Sequence, residues 1–254
     1  MRWVLLPVAV AVSMSGGQAA PVAAPVPVVV ELFTSEGCSS CPPADHLLSK
    51  LLKDQPVPGV EIISLGLHVT YWDRLGWKDP ASSNLATQRQ QDYSRVFGED
   101  RVYTPQAVVA GREELVGSDE RGVTRAIARA ARQPHVRVTV TSAPEGDAPG
   151  VRIAVSGIPP DVKERLIVTW LVVEDGLTSV VKRGENGGRT LHHDSVVRYL
   201  SVYGIANAKD SWADRELLSD RVPREWRREN LRAVVLVQGE KSRRIWGAAT
   251  TPLK

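Results

Sequence analysis

The stretch VVVELFTSEGCSSCPPAD, residues 28–45, joins an apolar run to two cysteines and two prolines. The run 28–34 is apolar apart from Glu31, a pattern typical of a buried strand. Pro42 and Pro43 have no backbone N–H, and a helix tolerates proline only in its first turn. The sequence therefore predicts a strand followed by a helix that begins beside the cysteines.

Strands and helices are predicted to alternate through the rest of the N-terminal half. Leu47, Leu48 and Leu51 recur at helical spacing after the prolines. Hydrophobic periodicity then predicts strands over residues 60–67, 106–110 and 114–116, and helices over residues 81–97 and 119–132. This order, with Cys-x-x-Cys at the first strand-to-helix junction, resembles the thioredoxin fold.

The segment Tyr103-Thr104-Pro105 stands immediately before the third predicted strand. Thioredoxin-like proteins carry a cis-proline at this place, beside the cysteine pair. The resemblance implies that Pro105 is cis and that Thr104 presents backbone polar groups to a bound peptide. The alternative is an ordinary trans turn, which is the commoner state of such bonds.

The second half of the chain has short alternating segments separated by polar turns. Strands are predicted over residues 135–141, 151–156, 166–173, 179–182, 196–202, 233–238 and 245–249. This pattern favours a mainly antiparallel β-sandwich. His192 and His193 are interpreted as surface residues beside a turn, because neighbours on a strand point to opposite faces.

Four regions follow from these patterns. A short apolar core within residues 1–19 predicts a signal peptide, with an uncleaved anchor as the alternative. Residues 20–27 form an extended leader, residues 28–132 the thioredoxin-like α/β domain, and residues 135–254 the β-sandwich domain. The mature protein is expected to be periplasmic or secreted, with no membrane span after cleavage, in a compartment where a disulfide persists.

The cysteine pair is the main candidate for chemistry. The N-terminus of a helix favours a thiolate, so we expect Cys38 to attack and Cys41 to resolve the mixed disulfide. This interpretation requires sulfur atoms that solvent can reach. An inert disulfide is one alternative, although closing so short a loop gains little stability. A second alternative is Cu(I) held by the two thiolates, with His46 or His68 nearby.

Three further side chains are candidates for the same site. Thioredoxins carry a buried acid behind the resolving cysteine, and Glu31 is a possible equivalent; a salt bridge at the end of a strand is its alternative explanation. Tyr71 and Trp72 follow the second strand at the edge of the sheet where ligands bind, so they are candidates for contacting a substrate. Burial of Trp72 and Trp77 in a contact between domains is the competing interpretation.

The chain also resembles the DUF1223 family, a group of exported proteins of unknown function. The resemblance is carried by residues 31–45, 68–77, 103–106 and 117–119, and it continues through residues 187–191 and 194–198. It implies a thioredoxin-like exported protein and supplies no biochemical role. Thr70 departs from the aspartate that we expect in the family, which puts in doubt any role that needs a carboxylate there.

The sequence therefore predicts thiol–disulfide exchange with protein or peptide thiols and disulfides as partners. No organic cofactor and no metal are expected. The 32 basic and 29 acidic side chains nearly balance, which gives no field that would favour nucleic acid. A copper-binding module that uses the same two thiolates, and a redox-inert secreted interaction protein, are the alternatives.

Overall fold

The computed structural model describes residues 24–145, 149–206, 212–217, 222–223 and 225–253 of the 254-residue chain. The predicted signal peptide, residues 1–19, lies outside the described residues. Within the part that is described, no helix is long and apolar enough to cross a membrane.

The N-terminal half has the predicted order of elements. Its strands are β1 (Val26–Thr34), β2 (Val60–His68), β3 (Gln106–Val109) and β4 (Glu113–Val116). Its helices are α1 (Pro42–Asp54), α2 (Asn84–Phe97) and α3 (Glu120–Ala130), and a short 3-10 helix covers Thr70–Leu75. Two residues that we assigned to the leader, Val26 and Pro27, belong to β1.

The C-terminal half is built of strands, two of which the sequence did not predict. The strands are β5 (Arg137–Ser142), β6 (Gly150–Ser156), β7 (Leu166–Glu174), β8 (Leu177–Val180), β9 (Thr190–His193), β10 (Val196–Ala206), β11 (Trp212–Leu217), β12 (Leu231–Gly239) and β13 (Ile245–Pro252). A 3-10 turn covers Arg228–Asn230. The unpredicted strands are β9 and β11.

A single eight-stranded sheet crosses both halves, in the order β13-β12-β7-β10-β2-β1-β3-β4. Strands β1 and β2 are parallel, whereas β3 and β4 continue the sheet in antiparallel pairs. Strand β10 joins the two halves through a parallel pairing of Val196 with Gly66. The protein is therefore a mixed α/β structure with a large, mostly antiparallel sheet that runs across the predicted domain boundary.

Three apolar layers hold these elements together. Helices α1 and α3 pack on one face of β1, with Val30 and Leu32 pointing towards them. Helix α2 packs on the other face, against Phe33. The three-stranded sheet β11-β6-β5 covers the C-terminal half of the large sheet, where Trp170 is fully buried. Alternate residues of β1 therefore face different helices, as expected for a strand.

Strands β8 and β9 form a separate two-stranded hairpin. The hairpin packs on α1 through β9, where Leu191 and His193 are buried and their neighbours are exposed. Its connecting segment, residues 181–189, reaches the loop that carries the cysteines. This hairpin is the part of the C-terminal half that builds the candidate site.

Candidate functional site

Cys38 and Cys41 form a disulfide at the junction of β1 and α1, with 5.4 Å between their Cα atoms. The prolines occupy the first positions of α1, as predicted. The carbonyl oxygen of Cys41 accepts hydrogen bonds from the backbone N–H groups of Ala44 and Asp45. The second sulfur therefore belongs to the first turn of the helix, whose N–H groups carry partial positive charge.

Both cysteines are completely buried, with 0% of either residue exposed. The expectation that solvent reaches the sulfur atoms is therefore wrong for this conformation. Ser39 and Ser40, the residues between the cysteines, remain exposed. The Cys-x-x-Cys loop thus presents its serines to solvent and keeps its disulfide covered.

Residues 183–186, in the segment between β8 and β9, lie against this loop. The side-chain amide of Asn186 donates hydrogen bonds to the carbonyl oxygens of Glu36 and Cys38, both at 2.9 Å. Ser39 donates its backbone N–H to the Glu185 carboxylate at 2.9 Å. Asn186 is fully buried between exposed neighbours, so it anchors an otherwise solvent-exposed turn onto the cysteine loop.

Trp72 connects the cysteine loop to the segment before β3. Its indole N–H donates to the Thr104 hydroxyl at 2.8 Å. Its Cβ lies 3.3 Å from the place where a Cβ on Gly37 would stand. The Thr104–Pro105 peptide bond is cis, which confirms the prediction. Trp72 thus links the start of the Cys-x-x-Cys loop to Thr104, the residue before the cis-proline Pro105.

Tyr71 is hydrogen-bonded to helix α2, whereas Trp77 packs against the segment between β8 and β9. The Tyr71 hydroxyl donates to the Gln90 side chain of α2 at 3.2 Å, and burial raises the pKa of this tyrosine. Trp77 donates its indole N–H to Glu36 at 2.7 Å and packs beside Gly184. Trp77 therefore lies in a contact between the two halves of the chain, as the competing interpretation held.

Buried charged groups adjoin the cysteine loop. His68 at the end of β2 contacts Asp79 through Nδ1 at 2.7 Å, and Asp79 also accepts the backbone N–H of Glu36. The ring of His193 stands edge-on to that of His68, with 4.9 Å between centroids. On α1, Asp45 accepts a hydrogen bond from Thr34 at 2.8 Å. We call the set Glu36, Asp45, His68, Asp79 and His193 the buried polar cluster.

Burial and mutual charge set the pKa values inside the cluster in different directions. Burial raises the pKa of Asp45, and the nearby histidines reduce that increase without cancelling it. Burial also acts to lower the pKa of His68, but the charge and hydrogen bond of Asp79, together with the charges of Asp45 and Glu36, outweigh it and raise the pKa. For Asp79, burial acts upward and His68 downward, and the resulting pKa is about 2. His68 and Asp79 therefore behave as an ion pair.

Glu31 does not face the cysteines. It is fully buried and points to the opposite side of the sheet, where its carboxylate accepts hydrogen bonds from Arg89 at 2.5 Å and from Tyr93. The Arg89 guanidinium also donates to Gln238 of β12. The expectation of a buried acid behind Cys41 is wrong for Glu31, and its alternative explanation, a salt bridge, is correct.

His193 corrects a second interpretation. It is only 6% exposed and belongs to β9, whereas we placed it at the surface beside a turn. His192 points outward, as period-two geometry requires, and is exposed. The resemblance to DUF1223 through residues 187–191 and 194–198 covers the segments on either side of this histidine pair. That resemblance is the signal that could have indicated a buried role for His193.

In the described ranges, no group of three or more histidine, cysteine, aspartate or glutamate side chains is arranged to hold an ion. Of the two histidines named for a copper site, His46 is exposed on α1, and the Nδ1 atom of His68 is hydrogen-bonded to the Asp79 carboxylate. The two sulfur atoms are bonded to each other.

These features define a class of protein: a mixed α/β chain with a covered Cys-x-x-Cys disulfide at the start of its first helix. The chain belongs to the family DUF1223, proteins of unknown function, whose sequence profile matches residues 29–238. A comparison with curated proteins found no match.

Two solved structures are similar to the chain. The first is protein AGR_C_4864 of Agrobacterium tumefaciens, at 29% identity and a TM-score of 0.72, covering 90% of this chain and 95% of that one. The second is HBP35 of Porphyromonas gingivalis, at 14% identity and a TM-score of 0.66, covering 91% and 76% respectively. The second likeness concerns the fold alone.

Proposed function

We propose that this protein is an exported, thioredoxin-like thiol–disulfide exchange protein whose cysteine pair is closed off in the oxidised state. The observation that carries the proposal is the Cys38–Cys41 disulfide at the first turn of α1. A bridge that closes so few residues restricts the unfolded chain very little, so stabilisation is a weak reason for it. Redox chemistry is the better reason, because the helix N-terminus favours the thiolate that exchange requires.

The arrangement of strands around the cysteines supports the thioredoxin-like part of the proposal. The order β2-β1-β3-β4, with α1 and α3 on one face and α2 on the other, resembles the thioredoxin core. In that resemblance the cysteines precede α1 and a proline precedes β3, as Cys38, Cys41 and Pro105 do here. The remaining strands extend this core and contribute the hairpin that covers it.

The exchange itself is a transfer of two electrons between a substrate and the pair. A substrate thiolate attacks one sulfur of the disulfide, forms a mixed disulfide and releases the other cysteine as a thiolate. A second substrate thiolate then breaks the mixed disulfide, so the substrate is oxidised and Cys38 and Cys41 become thiols. In the reverse direction, Cys38 attacks a substrate disulfide and Cys41 resolves it. Neither direction needs an organic cofactor.

Substrates in this proposal are protein or peptide thiols that approach beside Thr104 and Pro105, with Trp72 as a wall and Tyr71 behind it. Because the sulfurs are fully buried, a substrate reaches them only after the groups packed around the loop have moved, and Glu185 and Asn186 are hydrogen-bonded to that loop. The proposed site is therefore latent, and its cover comes from the same chain. Because the sequence predicts a signal peptide, the proposal assigns this reaction to the periplasm or the outside of the cell.

Reduction potential tests the proposal. The mature protein is equilibrated with glutathione buffers and its thiols are counted by alkylation and mass, with Cys38→Ser as the control. We expect an intermediate potential and exchange with a peptide disulfide. A potential below about −300 mV would mark a structural bridge and overturn the proposal. Cu(I) affinity of the reduced protein is measured in parallel, because tight copper binding with slow exchange would instead indicate a carrier.

A further inference from the structure

His193 is buried with both ring nitrogens unpaired. Neither Nδ1 nor Nε2 has a hydrogen-bond partner in the structure, although the residue is only 6% exposed. Nε2 lies 3.4 Å from a carboxylate oxygen of Glu36, and Nδ1 lies 3.8 Å from one of Asp45. An unpaired polar group is costly to bury, so a structural role alone does not account for this histidine.

The two carboxylates that face His193 flank the cysteine pair. Glu36 is two residues before Cys38, and Asp45 is one helical turn after Cys41, whose carbonyl oxygen accepts the Asp45 N–H. His193 is in β9, one strand of the hairpin whose tip lies on the cysteine loop. From the hairpin, it therefore faces the two carboxylates that flank the disulfide in sequence.

Glu36, in the loop before the cysteines, is hydrogen-bonded to the β8–β9 hairpin at two points. Its carboxylate accepts hydrogen bonds from the hydroxyl of Ser179 in β8, at 3.0 Å, and from Trp77. Its backbone carbonyl oxygen accepts the Asn186 amide at the tip. Each of the two strands and the tip of the hairpin thus faces Glu36, through Ser179, His193 and Asn186, and of these three side chains His193 is the titratable one.

We propose that His193 is a positioning residue for the disulfide: in its protonated form it bridges Glu36 and Asp45 and holds the β8–β9 hairpin over Cys38 and Cys41, and loss of the proton loosens this cover. The inference rests on the proposed function in one respect, since it concerns access to the same disulfide. It adds a control of that access by pH.

The chemistry of imidazole explains the direction. An imidazolium ion donates from both ring nitrogens and carries a positive charge, so it suits a place between two carboxylates. A neutral imidazole has one donor, so it leaves one of the two carboxylates without that partner. Deprotonation therefore removes the charge attraction of His193 to both Glu36 and Asp45, together with one of its two N–H donors.

Other charged groups surround His193, and they modify the effect without reversing it. His68 of β2 stands edge-on to it, and a charge there opposes a second charge on His193. Asp79 is paired with His68 and offsets that repulsion. Glu36 comes from the loop before α1 and Asp45 from α1 itself. Three carboxyl groups, those of Glu36, Asp45 and Asp79, thus face the two imidazole rings, and their negative charges offset the repulsion between protonated rings.

The test is the rate at which a phosphine reductant opens the disulfide in the oxidised mature protein, measured at a series of pH values between about pH 5 and pH 8. Each rate is divided by that of oxidised glutathione at the same pH, which removes the pH dependence of the reagent. The variants are His193→Gln and, as the matched control, His192→Gln on the exposed face of the same strand.

We expect the normalised rate of the unaltered protein and of His192→Gln to rise with pH, by at most about tenfold per pH unit for the release of one proton. We expect His193→Gln to react fast at every pH. The inference is overturned if the unaltered protein shows no rise, or if His193→Gln keeps it. Should that variant fail to fold, Glu36→Gln must flatten the same profile.

The two proposals fail separately in these measurements. A phosphine reduces a structural disulfide as well as a catalytic one, so the pH profile does not depend on the reduction potential. A pH profile that depends on His193, together with a potential below about −300 mV, would retain the cover and reject the exchange function. An intermediate potential without a pH profile that depends on His193 would retain the exchange function and reject the role of His193 in the cover.

Discussion

The side-chain amide of Asn186 donates to the carbonyl oxygen of Cys38 at 2.9 Å, across 148 positions of the chain. This bond ties the covering hairpin to the first cysteine directly. The same amide also donates to the carbonyl oxygen of Glu36, so one small side chain holds two carbonyl groups on either side of Gly37. We therefore expect access to the disulfide to depend on this contact with the C-terminal half.

Replacing Asn186 with alanine should expose the disulfide. The substitution removes two hydrogen bonds that hold the cover, at about 1 kcal/mol each, so reduction should accelerate roughly ten- to thirtyfold. The measurement is the rate of reduction by a phosphine at fixed pH, with circular dichroism to establish that the variant is folded.

Asn84→Ala is the matched control, because Asn84 is exposed at the start of α2 and its side chain accepts a hydrogen bond from Thr70 rather than from the hairpin. This control should leave the rate unchanged. An Asn186→Ala protein that is folded and reduced no faster than the unaltered one would show that residues 183–186 do not limit access.

Local patterns predicted the strand β1, the start of α1 and the order of elements up to α3. These are decided by periodicity and by proline, which act between neighbours in sequence. The same patterns did not predict that the segment between β8 and β9 packs on the cysteine loop. Asn186 lies in a glycine-rich turn that predicts only an exposed loop, and its burial depends on residues from a distant part of the chain.

Glu31 shows the same limit on a strand that was predicted correctly. The alternation of β1 leaves open which face each residue takes until the helices on the two sides are known. Arg89, the partner of Glu31, lies on α2, and Gln238 completes the contact from β12. No pattern within residues 28–34 could have identified these partners, so the choice between an acid for catalysis and a salt bridge stayed open.

Glu31→Gln should lower stability and leave the chemistry of the disulfide unchanged. The substitution leaves the Arg89 guanidinium buried without its carboxylate, a loss of about 3–5 kcal/mol for a buried pair. Urea unfolding measures the free energy, and the exposed Glu99→Gln serves as the control. If the folded variant exchanges disulfides much more slowly than the unaltered protein, Glu31 does act on the cysteines.

The pair of His68 and Asp79 should give the protein a stability maximum in mildly acidic solution. The pKa of His68 is raised above its ordinary 6.5, so its contribution is complete below pH 6.5 and is lost as pH rises through the higher folded value. The pKa of Asp79 falls from 3.8 to about 2, so its contribution is complete above pH 3.8 and is lost as pH falls. The pair therefore stabilises fully between these two limits.

Asp79→Asn isolates this contribution. Since a shift from 3.8 to about 2 corresponds to about 2 kcal/mol, the variant should lose roughly that amount at about pH 5 and less near pH 2. Urea unfolding at a series of pH values measures it, and Asp100→Asn, at an exposed position, is the control. Equal losses for Asp79→Asn at all pH values would show that the ion pair is not the source.

Trp72→Phe should separate recognition of a peptide from the intrinsic reactivity of the disulfide. The substitution keeps an aromatic ring beside Gly37 and removes the hydrogen bond to Thr104, which contributes about 1 kcal/mol. Loss of this bond frees the segment before β3, against which a substrate peptide is proposed to lie. In the Asn186→Ala background, exchange with a peptide dithiol should slow several-fold, whereas reduction by a small phosphine should not change. Equal effects on both reagents would mean that Trp72 shapes the disulfide itself, and no effect on either would assign it to packing.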